Sequence, residues 1–391
     1  MATGRHAWLP GVPKGQALPV NEMVFLAGSL TQTGGMERFN RLFSRALGEY
    51  CSLHGGRLTV LALADQAVPE EAADAMVEVR CFAGNRARFA QAAMDSAFRS
   101  ELLVVGLSNF MPLALPMIAA ARLRRRPRIA LVVHGVEAWV RWGWLSRLAG
   151  RSLDCLLSVS QHTADRCTQI NDLKHVPVKI CPNALDPSFQ PYLATPAAVD
   201  EVDGPALLTV TRLGSFGEYK GVDTVIQALP AILTSCPGAH YAVIGDGHLV
   251  PRLRALAESL GVVGQVEFRG RVSHEDLVRA YRECSVFVMP SAGEGFGVVY
   301  LEAMAFGRPV VAASAGGAPE VVSDGATGLL VPYGDAAVLA DTLTRLLRDP
   351  SLRHMMGAAG RARVAELFTY DRFRARVWET VDSVLRPGVR S

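Results

Sequence analysis

The sequence predicts an α/β protein of two consecutive doubly wound parallel-sheet domains, on three observations. Short apolar runs of strand length alternate with longer amphipathic segments from Met23 onward. The runs are apolar throughout rather than at alternate residues, as strands covered on both faces require. The alternation breaks once, at residues 187–205 (PSFQPYLATPAAVDEVDGP), a proline-rich stretch without periodicity that reads as a connection. The expected organisation is a basic first domain over 1–188, a linker over 189–205, a second domain over 206–368, and a terminal helix over 369–391.

In the first half a loose arm precedes a strand starting near Met23 (MVFLAG), and the loop SLTQTGG leads into a helix from about Met36. The later strand signals are RLTVLALA, ELLVVGL, RIALVVHG, LDCLLSVS and VKICPNA. Helical patterns between them cover Arg86–Phe98, Pro112–Arg122, Trp139–Ala149 and His162–Ile170. In the second half ALLTVTRL, AHYAVIGDG, QVEFRG, SVFVMPS and RPVVAAS alternate with helices over Val222–Leu233, Leu249–Leu260, Asp276–Tyr281, Val299 onward, and a short one near Glu320. Three helical patterns, Ala336–Leu347, Leu352–Leu367 and Tyr370–Leu385, then follow with no strand expected among them, the last placed to cross back to the first domain.

Composition narrows the function. A chain of 391 residues, half apolar and one-fifth charged, is globular and long enough for two cores. Seven scattered cysteines without a C-x-x-C pair exclude a disulfide framework and a structural zinc site, and point to a reducing cytosol. No signal peptide is expected in the proline-broken first twenty residues, and the apolar run Phe110–Ala121 is too short to span a bilayer. Residues 1–190 carry 21 Lys+Arg against 15 Asp+Glu, whereas the remainder carries 19 against 22. The first half therefore suits an acidic partner. The run Arg122, Arg124, Arg125, Arg126 and Arg128, with the tryptophan-rich segment 139–145, fits an anionic membrane surface. The expectation is a cytoplasmic protein, peripheral at the inner face of the membrane where that surface meets lipid, with no nucleic-acid partner.

The chemistry concentrates in Ser291–Val311, SAGEGFGVVYLEAMAFGRPVV. A strand end, a loop with Gly293, Gly295 and Gly297, and a helix start place unpaired N–H groups and a helix dipole where an anion can sit. Glu294 in the loop and Glu302 about one turn into the helix face one crevice, and ionised carboxylates accept two hydroxyl hydrogen bonds at once. An anionic centre with hydroxyl-rich ends describes a nucleotide sugar. Arg212 closes the strand ALLTVTRL and Lys220 follows the loop GSFGEY, a fork and a point charge suited to a diphosphate. Gly34 and Gly35 stand at another helix N-terminus, His134 ends a strand beside Gly135, and Gly245 allows close backbone approach. Arg271 and Val272 are placed to edge a nucleobase. Asn183 and Asp186 read as caps of a connection. There is no D-x-D triplet and no clustered His/Cys set, so no metal and no other cofactor is expected, and the positive charge falls to Arg212, Lys220 and helix N-termini.

EGFGVVYLEAMAFGRPVVAA, with Glu294 and Glu302 eight apart, resembles the E-x7-E signature of the family GT4 retaining glycosyltransferases, which have the GT-B fold. The resemblance runs through TRL...YKGVDTVIQALP, VIGDG, FRGRVSHEDLVRAYRECSVFVMPS, GGAPEVVSDGATGLLV and FTYDRF, and more loosely through GGMER, His134, Ser158, Ser160 and PNALD. Where the family usually reads P-N-G-[VI]-D, this chain has Pro182-Asn183-Ala184-Leu185-Asp186. The resemblance implies that Arg212 and Lys220 hold the donor diphosphate and Glu302 the ribose hydroxyls. Glu294, with the N–H groups of Phe296 and Gly297 ahead of Val298 and Val299, would bind the transferred sugar. Gly35 would let the first domain close on the phosphates, and His134 would meet the sugar near its 6-position. Glu294, His134, Arg212 and Lys220 are thus the expected catalytic set. The implied reaction moves a hexose from a UDP- or GDP-sugar, with retention and without metal, to a saccharide or lipid-linked saccharide in polysaccharide or glycolipid assembly. An epimerase, a phosphorylase or a non-catalytic nucleotide-sugar-binding protein on the same plan are the alternatives.

Overall fold

A computed structural model describes residues 22–32, 34–68, 77–120, 127–194, 204–214 and 218–387. The expected N-terminal arm, Arg122, Arg124, Arg125 and Arg126, and residues 195–203 of the proline-rich connection lie outside the described residues. Two parallel sheets organise the rest.

The first contains β1 (Glu22–Ala27), β2 (Arg57–Ala62), β3 (Val77–Cys81), β4 (Leu102–Val105), β5 (Arg128–Val133), β6 (Cys155–Ser158) and β7 (Val178–Ile180), in the order β3-β2-β1-β4-β5-β6-β7. Met23, Phe25 and Ala27 of β1 enter one core while Val24 and Leu26 enter the core on the opposite face, which is why the strand has no polar position after Glu22 at its start. Helices α1 (Gly35–His54), α2 (Arg86–Ala97), α3 (Leu115–Ala120), α4 (Trp144–Gly150) and α5 (Gln161–Ile170) cover the sheet.

After a 3-10 turn at Pro187–Phe189, the connection begins as helix α6 (Gln190–Ala194). It is packed, not loose: the Phe189 ring meets Tyr281 and Phe306, and the Arg361 guanidinium donates to the carbonyls of Tyr192 and Leu193.

The second sheet contains β8 (Ala206–Val210), β9 (His240–Ile244), β10 (Val266–Gly270), β11 (Val286–Met289), β12 (Val310–Ala313) and β13 (Gly328–Val331), in the order β10-β9-β8-β11-β12-β13. Around it lie α7 (Val222–Ser235), α8 (Val250–Ser259), α9 (His274–Glu283), α10 (Val298–Ala305), α11 (Ala318–Val321), α12 (Ala336–Arg348) and α13 (Pro350–Leu367). Asp335 and Asp349 cap α12 and α13, each side chain accepting a backbone N–H of the first turn.

Helix α14 (Tyr370–Leu385) crosses back, as expected, and packs on α1 of the first sheet. Phe373 is fully buried against Phe39, the Trp378 indole N–H donates to Ala46 O at 2.7 Å, and the Tyr50 hydroxyl donates to Asp382 Oδ1 at 2.7 Å.

Strand order reverses between β1 and β4 in one sheet and between β8 and β11 in the other. Such switch points open a crevice at the carboxyl ends of the strands. The loops from these two points meet each other.

Several local expectations change. Strands β3 and β13 were not expected. Helix α4 begins at Trp144 rather than Trp139, because Asn171 holds the preceding loop through Trp142 N at 2.8 Å and Val140 O at 3.2 Å. The segment around Pro112 is a 3-10 helix (Ser108–Ala114) before α3, since proline removes an N–H donor from the α pattern.

Candidate active site

Gly35 opens α1 and Val298 opens α10, and the two helix N-termini face each other: a Cβ on Gly35 would lie 3.7 Å from Val298 Cγ2. Their unpaired N–H groups and dipoles concentrate positive potential in one gap. Arg212 enters this gap from beyond β8. Its guanidinium donates to Glu37 Oε2 at 3.4 Å while the side chain remains 68 % exposed. Gly34 gives it room, since a Cβ there would fall 1.8 Å from Arg212 Nη2.

Lys220 ends a 3-10 turn that the glycine-rich loop holds through Ala292 N to Tyr219 O at 2.9 Å. Its Nζ lies 2.6 Å from Glu294 Oε2. Gly297 sits in the left-handed region at φ 96° and turns the chain into α10, with Phe296 and Val298 buried beside it and Val299 half-buried. Glu302 is the most deeply buried acid of the site at 1 % exposure. The Tyr281 hydroxyl donates to its Oε2 at 2.7 Å, and the Arg38 guanidinium pairs with Oε1. Arg38 Nε also lies 3.2 Å from Asp186 Oδ2. Burial opposes the charge on Arg38, but Glu302 and Asp186 outweigh it and raise the guanidinium pKa. Burial, reinforced by Glu302, pushes the Tyr281 phenol well above its ordinary range.

His134 follows β5, with its ring edge-on to Phe39 and its buried Nε2 without a hydrogen-bond partner among the described residues. Burial lowers its pKa against the weaker pull of Glu137 and Glu37, which favours the neutral imidazole. Its carbonyl abuts Gly295, where a Cβ would sit 1.9 Å from the oxygen.

The two lobes touch at more than this point. Ser160 Oγ donates to Gly295 O at 2.7 Å, and the N–H groups of Gln161 and His162, at the start of α5, donate to the two Glu320 oxygens at 2.8 Å each.

Glu294, Glu302, Arg212, Lys220, Gly34, Gly35, His134, Phe296, Gly297 and Val298 therefore line one interlobe crevice. Gly245, at the end of β9, is required for packing, since a Cβ there would lie 1.7 Å from Thr211 O. Arg271 is exposed beyond β10 without an ion pair among the described residues, and Val272 packs half-buried against the core. Asp186 caps the Pro187–Phe189 turn, as expected, and adds the pair with Arg38. Arg38, Glu37, Tyr281 and Glu320 were not anticipated. Arg38 and Glu37 stand in GGMER, whose charged positions are the signal that was there to find.

The description "Glycosyltransferase Family 4" matches residues 33–189, and "Glycosyl transferases group 1" matches residues 204–363. The GDP-mannose-dependent monoacylated alpha-(1-6)-phosphatidylinositol monomannoside mannosyltransferase of Corynebacterium glutamicum is 32 % identical over 291 residues, covering 70 % of this chain and 74 % of that one. The protein belongs to the family 4, group 1 glycosyltransferases. This family 4 glycosyltransferase is also 34 % identical, over 287 residues, to the GDP-mannose-dependent alpha-(1-6)-phosphatidylinositol monomannoside mannosyltransferase of Mycobacterium tuberculosis, covering 68 % of this chain and 72 % of that one. In fold it is similar to Anabaena HepE in complex with UDP-glucose, at a TM-score of 0.71 and 22 % identity, covering 93 % of this chain and 99 % of that one. The glycosyltransferase has the GT-B architecture, and among its described residues no helix is long and apolar enough to cross a membrane.

Proposed function

We propose that this glycosyltransferase moves a hexose, with retention and without a metal, from a nucleotide sugar to a saccharide or lipid-linked saccharide in glycolipid or polysaccharide assembly. The observation that carries the reading is the approach of the N-termini of α1 and α10, with Arg212 and the Lys220–Glu294 pair beside it and Glu302 within α10 paired to Arg38 of α1.

Arg212, Lys220 and the helix N-termini hold the diphosphate. Glu302, oriented by Tyr281, takes the ribose hydroxyls once Arg38 yields Oε1. Glu294 and the N–H groups of Phe296 and Gly297 hold the sugar, with neutral His134 near its 6-position. Arg271, Val272 and the Gly245 turn edge the base. In the reaction the bond from C1 to the phosphate oxygen breaks as the acceptor oxygen attacks on the same face. The departing phosphate takes the acceptor's proton, and the fixed cations stabilise its charge.

GDP-mannose is the first donor to test, since both mannosyltransferase relatives are named for it. A phosphatidylinositol mannoside is the first acceptor for the same reason, and the basic residues from Arg122 to Arg128 favour a lipid-linked acceptor. The test measures binding across a panel of GDP- and UDP-sugars, then transfer, with the product's anomeric configuration read by NMR. An α-linked product from an α-linked donor is expected. An inverted product, or full transfer activity in Glu294→Ala, overturns the assignment.

A further inference from the structure

Helix α4 and the turn before it reverse the usual burial pattern. The helix buries its small residues Ser146, Ala149 and Gly150 and turns its large ones outward: Trp144 is 72 % exposed, Leu148 47 % and Leu145 37 %. Trp144 and Leu148, four apart, share one face, and Val140 in the preceding turn is 57 % exposed.

The surface is held firmly. Trp142 faces inward at 6 % exposure, its backbone N–H donating to Oδ1 of the buried Asn171, whose Nδ2 donates to the Val140 carbonyl. The core already has its indole in Trp142, so packing does not account for Trp144. Single exposed apolar side chains need no explanation, whereas four within nine residues do.

Charge identifies the partner. Residues 122–151 contain eight arginines and a single acid, Glu137, whose carboxylate is occupied by the N–H groups of His134 and Gly135. The exposed side chains of Arg141 and Arg151 flank the apolar residues and have no carboxylate partner among the described residues. An apolar centre with an indole and an arginine rim matches the boundary between lipid headgroups and acyl chains, where tryptophan settles and arginine meets lipid phosphate. A nucleic acid would use the arginines and leave Val140, Trp144 and Leu148 in water.

The location serves the crevice. The segment leaves β5 directly after His134, and Trp139 packs on His162, whose N–H meets Glu320 of the other lobe.

We infer that Val140, Trp144, Leu145 and Leu148, with Arg141 and Arg151, form a docking face for an anionic lipid bilayer beside the mouth of the interlobe crevice. The use of this face in catalysis rests on the lipid-acceptor part of the proposed function, but bilayer binding is tested without substrate.

The experiment is co-sedimentation of the full chain with vesicles of phosphatidylcholine alone or mixed with phosphatidylglycerol. Wild type should bind the mixed vesicles at least about tenfold more tightly than the neutral ones. Trp144→Ser/Leu148→Ser should weaken binding about tenfold while thermal unfolding is unchanged. Arg141→Glu/Arg151→Glu should lose the preference for anionic lipid. The inference is overturned if wild type ignores the mixed vesicles or if the Trp144→Ser/Leu148→Ser variant binds like wild type. It is equally overturned if that variant loses only self-association in sedimentation velocity, which assigns the face to a second copy. Transfer to a soluble acceptor without vesicle binding sinks the docking face and leaves the enzyme reading standing. Vesicle binding without transfer does the reverse.

Discussion

Lys220 Nζ sits 2.6 Å from Glu294 Oε2, and each side chain is only 16 % exposed. The cation assigned to the diphosphate and the carboxylate assigned to the sugar thus neutralise each other until a donor parts them. Glu294→Gln keeps the shape but leaves Lys220 without its counter-charge. Its kcat should fall about 100-fold with a smaller change in donor KM. In a double-mutant cycle with Lys220→Ala the two effects should be far from additive, and additive losses would show that the pair does not act together.

Arg38→Ala leaves Glu302 buried with an uncompensated charge. Denaturant unfolding should register a loss of about 3 kcal/mol, partly recovered by adding Glu302→Gln. A loss below about 0.5 kcal/mol would mean that water already reaches Glu302.

Gly295→Ala tests lobe closure. The added methyl would meet the His134 carbonyl, so the lobes must sit further apart while each keeps its own core. Scattering should show a larger radius of gyration and kinetics a drop of about tenfold or more in kcat/KM, with little change in thermal stability. Unchanged kcat/KM would mean that turnover does not need this contact.

His134 sets a pH dependence. Its folded-state pKa lies below its unfolded value because burial disfavours the imidazolium. The unfolded chain therefore binds the extra proton first as pH falls through about 6.5, and stability declines by up to about 1.4 kcal/mol per pH unit below that point. His162, lowered by burial and by Arg166, adds in the same direction. His134→Gln should flatten the fall in stability between about pH 7 and 5.5, and an unaltered slope would assign the dependence elsewhere.

The central strands were legible because a strand buried on both faces has no choice but to be apolar. Met23–Ala27, Leu102–Val105 and Val286–Met289 announce themselves this way. The two strands that escaped notice lie at sheet edges, where half the surface is wet. Val77–Cys81 alternates half-buried and exposed residues, and Gly328–Val331 is four residues long with a glycine at its start. Glu294, the cations and the glycines were legible because each lies in a connection that follows a strand end, and Glu302 because it lies in the helix that one of those loops opens. What joins them was not: Arg38 and Glu302 are 264 positions apart, and no local pattern announces such a pair. Trp139 and Trp144 illustrate the same limit, since composition cannot say which indole faces water.

The returning helix α14 has a consequence for the order in which the molecule can be made. Helix α1 is α14's neighbour in space, yet it is synthesised before the whole of the second sheet and α14 after it. Until Tyr370–Leu385 has been translated, Phe39 lacks Phe373 and the carbonyl of Ala46 lacks the Trp378 indole. A nascent chain with its first sheet complete therefore carries a bare apolar stripe for the whole time that the second sheet is being synthesised, and chaperone occupancy should persist until Tyr370–Leu385 has emerged.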